Sequence, residues 1–120
     1  MPRDDFTPEA VREEIAREIG RVHDESYGEG ARRDVHVHLL DDLVLVLIDA
    51  EPTDSERTLL DAGHGDAVRG TREAFQDAIE PTFTAIVERA TGRSVGSFLS
   101  RMSLDPMYSV EIFRLDARPR

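Results

Sequence analysis

Residues Val35 to Ile48 read VHVHLLDDLVLVLI, alternating on the way in to Asp41-Asp42 and apolar at every position from Leu43 to Ile48. An alternating strand buries one face, whereas a continuous apolar run implies burial on both. The stretch therefore reads as a β-hairpin whose second face is also covered.

The turn proposes a register. If Asp41-Asp42 is a two-residue loop, Leu40 faces Leu43, and Val35, Val37 and Leu39 share a face with Val44, Val46 and Ile48. That face is the predicted core. The other carries His36, His38 and Leu40 beside Leu43, Leu45 and Leu47, and leaving those leucines in water would forgo roughly 1.5 to 3 kcal/mol each. The expectation is an interface at His36, His38, Leu43, Leu45 and Leu47, closed by a second copy in a homodimer or by the chain's own helices. A longer loop would shift the register by one residue and exchange the two faces.

Helices flank the hairpin. Thr7 followed by Pro8 is a helix start, a capping hydroxyl before a proline whose missing N–H costs nothing at the first helical position. Val11, Ile15, Ile19 and Val22 then recur at helical steps, with arginine and glutamate on the other side, until Tyr27-Gly28-Glu29-Gly30 ends the run. After Asp49, Thr53-Asp54-Ser55-Glu56 fits a capping box and opens a short helix to Ala62. Gly63-His64-Gly65 breaks it. Asp66 then caps a longer helix marked by Val68, Phe75, Ile79, Ile86 and Val87 and stopped at Thr91-Gly92. Pro81 lies inside that helix and predicts a kink or break near Ala78.

Val95, Phe98, Leu99 and Met102, a Leu104-Asp105-Pro106-Met107 turn, and Val110, Ile112, Phe113 and Leu115 make a second hairpin. The order α-ββ-αα-ββ predicts an α+β fold: a two-layer sandwich, with a four-stranded antiparallel sheet and helices mainly on one face. At 120 residues this is one domain, 1–120, with flexible ends at 1–6 and 117–120.

Composition removes several function classes. The absence of cysteine excludes disulfides, thiolate metal sites and thiol catalysis. A formal charge of -10 repels phosphates and anionic lipid, so no nucleic-acid partner is expected. The longest apolar run, Leu43 to Ile48, is far short of the ~20 residues of a spanning helix, so no direct membrane insertion is expected. The N-terminal MPRDDFTPEA has no apolar core of signal-peptide type, which predicts a soluble, cytoplasmic protein.

Little in the chain reads as chemistry. His36 and His38 lie two apart on a strand and would project from one face, as two ligands of one metal do, but two ligands are not a site. His64 between its glycines, with Asp61 and Asp66 nearby, reads as a polar loop residue, a pH-sensitive hinge or a metal corner. Ser100 and Ser103 lack a nucleophile elbow, and Glu13-Glu14 is a solvated pair. Hence no catalytic residue, metal or cofactor is assigned. The best ligand candidate is the loop from Gly28 to Arg33, where backbone amides at Gly28 and Gly30 and the guanidinium groups of Arg32 and Arg33 would hold a small anion.

The succession DDLVLVLID, the helix start TDSERTLL, the helix end VERATGRSV and the closing FLS and VEIFRLD segments together resemble the MpsC-like family, over roughly Val11 to Asp116. That family's glycine-rich connection before the first strand resembles G-x-G-P, where this chain has Gly28-Glu29-Gly30-Ala31. The family is associated with a cation-translocating, membrane-potential-generating system whose membrane components are linked to inorganic-carbon supply. What the resemblance implies is a non-enzymatic accessory or regulatory module with a membrane-protein partner. The alternative is a small-anion or small-molecule sensor using the Gly28–Arg33 loop.

Overall fold

The computed structural model describes residues 7–28 and 33–119, the last three as backbone alone. The elements run α1 (Pro8–Tyr27), β1 (Arg33–Leu40), β2 (Leu43–Ala50), α2 (Asp54–Asp61), α3 (Gly65–Thr91), β3 (Arg93–Leu104) and β4 (Met107–Pro119). This is the expected α-ββ-αα-ββ order. Of the ends expected to be loose, 1–6 and 120 lie outside the described residues, while the backbone of 117–119 continues β4.

Local chemistry sets the helix boundaries. The Thr7 hydroxyl accepts from the Ala10 amide at 3.2 Å, and Gly28 closes α1 with a positive φ of 94°, its amide donating to the Asp24 carbonyl. In α2 the capping box forms as expected: the Glu56 amide donates to the Thr53 hydroxyl at 3.2 Å, and the Thr53 amide donates to the Glu56 carboxylate at 2.9 Å. His64 occupies the cap position of α3 without a side-chain bond, and Asp66, expected to cap, lies in the first turn.

Of the kink or break expected near Ala78, the break does not occur: α3 is continuous through Pro81. Pro81 and Asp77 are both exposed, so the carbonyl that loses its partner to the proline faces water rather than the core.

The four strands form one antiparallel sheet in the order β1-β2-β4-β3. Leu40 pairs with Leu43 and Val37 with Val46, the register of a two-residue turn at Asp41-Asp42. In β3, Gly96 is the extra residue of a bulge between the pairs Val95–Leu115 and Ser97–Arg114. Helices α1 and α3 bury their stripes against one face, where Ile15, Ile19, Val44, Val46, Phe83 and Phe113 are fully enclosed. Val35 and Leu39 pack at the margin of the same cluster. No side chain of α2 is buried, so that helix is held by other means.

Candidate functional site

Among the described residues, none of the helices covers the opposite face of the sheet. Strand register sets His38, Leu45, Ile112 and Leu99 in one row across it, and His36, Leu47, Val110 and Arg101 in the next. Leu99 is 67% exposed and Leu40 54%, while Leu43, Leu45 and Leu47 are half-buried by their strand neighbours. The hairpin residues expected on one surface are therefore together on it. Leu99, Val110 and Ile112 extend that surface, and the sequence reading did not include them because it depends on β2 pairing with β4. The face has an apolar centre and a charged rim, the distribution of a protein-binding surface.

The two histidines sit at the β1 edge of this face. His36 Nε2 is 3.7 Å from Asp49 Oδ2, both groups half-exposed. Among the described residues no three histidine, aspartate or glutamate side chains are grouped so as to hold a metal ion.

The proposed ligand loop is only partly described: Gly30 and Arg32 lie outside the described residues. Gly28 serves as the α1 cap. Arg33 donates from Nε and Nη2 to the two carboxylate oxygens of Asp24, at 3.0 and 2.9 Å. Hydrogen bonding to Arg33 holds the Asp24 carboxyl below its ordinary range. The guanidinium reaches Asp24 by crossing Gly20, where a Cβ would stand 2.7 Å from Arg33 Cζ. An anion at this loop would have to compete with Asp24 for Arg33. Arg33 also borders an open groove of about 720 Å³ at the end of the sheet, whose walls include Asp34, Asp49, Glu51, Arg57 and Asp105. That excess of carboxylates opposes an anion further.

A second polar feature lies on the core side. His23 is 3% exposed with neither ring nitrogen hydrogen-bonded, and Glu111 is fully buried with neither carboxylate oxygen hydrogen-bonded. The buried Tyr27 hydroxyl and Gln76 Oε1 are also unpartnered. Of these groups, His23 and Gln76 line a cavity of about 10 Å³ whose other walls include Ile48, Arg72, Met102 and Ser109. That is about the room one water needs. Glu111 is the next residue after Ser109 on the same face of β4.

Burial dominates the titration of this chamber. Desolvation, aided by the nearby Arg72 charge, lowers the His23 imidazole to about 4, so it is neutral. Desolvation raises the Glu111 carboxyl to about 7, with Ser100 and Ser109 pulling weakly the other way. Arg72 stacks over the Tyr27 ring at 4.3 Å, and its charge is engaged by Glu56 through two contacts of 2.7 Å.

Periodicity carried a signal for both buried groups. Glu111 shares the alternation of Ser109 and Phe113, and His23 falls four residues after Ile19 on the stripe of α1.

Over the described residues the fold is a two-layer α+β sandwich whose helices lie on one face of the sheet. Residues 7–117 match the family described as Na+-translocating membrane potential-generating system (MpsC), nearly the whole chain, and the protein belongs to that family. No curated protein and no solved structure matches the chain. No helix among the described residues is long and apolar enough to cross a membrane.

Proposed function

We propose that the protein is a non-enzymatic cytoplasmic accessory module that supports a cation-translocating membrane system. In this reading it is homodimeric through the open face of its sheet. The observation that carries the reading is the band of Leu45, Leu47, Leu99, Val110 and Ile112, which its own helices leave uncovered. Two sheets stack face to face at about 10 Å, and a second copy brings an equally apolar surface to meet this one. The family description supports a role beside a membrane system.

The association is tested by light scattering at micromolar concentration. The wild type should have twice the mass of the chain, and Leu45→Asp should halve it while circular dichroism stays unchanged. A wild-type monomer that Leu45→Asp does not alter would remove the basis of the dimer. The accessory role predicts that vesicles carrying the translocating system develop a smaller sodium-dependent potential when this chain is omitted. An equal potential without it would overturn that role.

A further inference from the structure

The chamber between the helices and the sheet has no part in the reading above. Its defining fact is the Glu111 carboxyl, fully buried and unpartnered, one step along the same face of β4 from Ser109, which walls a space with room for about one water. A neutral carboxyl tolerates such a place, whereas a carboxylate needs donors or solvent.

We infer that Glu111 is a proton-binding site through which the fold senses pH: neutral, it lets α3 stay seated over the chamber, and ionised, it draws water between α3 and the β3–β4 pair.

The surroundings explain why ionisation has no other outlet. From β2, Glu111 meets the apolar side of the sheet, its register partner being Val46. On β3 its partner is Ser100, and the hydroxyls of Ser100 and of Ser109 on β4 favour the charged form, against the larger effect of burial. From α1 come the neutral His23 and the phenol of Tyr27, which burial keeps protonated. From α3 come Gln76, with its carbonyl oxygen unpartnered, and Arg72. Arg72 is the cation facing the chamber, and Glu56 of α2 holds it with both oxygens.

A path for water lies beside the chamber. Gln76 and Met102 border both the chamber and a surface groove of about 170 Å³, whose other walls include Ser100, Glu73 and Asp77. Arg69, also on that groove, reaches from α3 to the Met102 carbonyl at 3.4 Å. Ser100, the register partner of Glu111, stands on this groove, so parting α3 from β3 at the Arg69 contact lets its water reach the carboxyl.

The test is a carbon-detected carboxyl titration of the labelled wild-type protein, with amide-exchange protection factors for α3 at pH 6 and pH 8. The Glu111 signal should titrate near pH 7. Protection between Arg69 and Asp77 should fall at least tenfold over that interval once intrinsic exchange is removed. In Glu111→Gln the protection should stay constant. A midpoint below pH 6, or wild-type protection that does not change between the two pH values, overturns the inference. Both readouts come from the wild type, so they stand even if the variant fails to fold.

Discussion

Arg72 binds Glu56 through Nε and Nη2, each at 2.7 Å, with both side chains nearly buried. The same carboxylate closes the capping box of α2, so one glutamate starts that helix and fastens it to α3. Because α2 buries no side chain, this fork is its principal anchor.

Arg72→Leu should therefore cost about 3 kcal/mol, since it strands a largely buried carboxylate. Arg72→Lys should lose less, keeping the charge without the fork. Urea unfolding measures both, and a loss under about 1 kcal/mol for the leucine variant would contradict the anchor. Burial raises the Glu56 carboxyl, but Arg72 and Thr53 together carry it below its ordinary range. Its contribution is thus complete above the unfolded value of 4.5 and is lost as pH falls through the lower folded one.

Gly20→Ala tests the crossing of Arg33 over α1. The new methyl must push the guanidinium away, breaking its contacts with Asp24. Alanine strengthens a helix interior by roughly 1 kcal/mol relative to glycine, which offsets a partly exposed ion pair. Stability should change little while the Asp24 carboxyl titrates closer to its ordinary value. An Asp24 titration identical to wild type would show that Arg33 did not move.

His23 and Glu111 give opposite pH slopes. Glu111 has a raised folded value, so its contribution is complete below 4.5 and is lost as pH rises to about 7. His23 has a lowered one, so its contribution is complete above 6.5 and is lost as pH falls to about 4. Each amounts to roughly 3 kcal/mol across its window. Where the windows overlap, folding transfers a proton from imidazole to carboxyl, and the wild type is nearly flat. His23→Phe should leave stability falling from pH 4.5 to 7, and Glu111→Gln should leave it falling from pH 6.5 to 4. Parallel slopes in the two variants would refute the compensation.

How far the sequence was legible depended on distance along the chain. The first hairpin and its register follow from alternation on both sides of Asp41-Asp42, and α1 from its caps and stripe. These are local patterns. The pairing of β2 with β4 is not, and without it Leu99 and Ile112 could not be placed beside Leu45. Pro81 does not break α3 because the penalty of a proline in a helix depends on whether its face meets solvent, which tertiary packing decides. The chamber was within reach of periodicity, but a glutamate between valine and isoleucine reads as a surface residue unless the strand's buried side is known.

Strand order also has a kinetic side. β4 occupies the middle of the sheet, yet it follows the other three strands off the ribosome. Until it arrives, β2 and β3 both wait with an unpaired edge, and the nascent chain holds two strands that cannot meet. Val44 reaches Phe113 only across the whole helical segment, a long loop to close before the centre of the sheet forms. Late closure of the centre makes the unfinished chain, more than the finished one, the species exposed to misassociation.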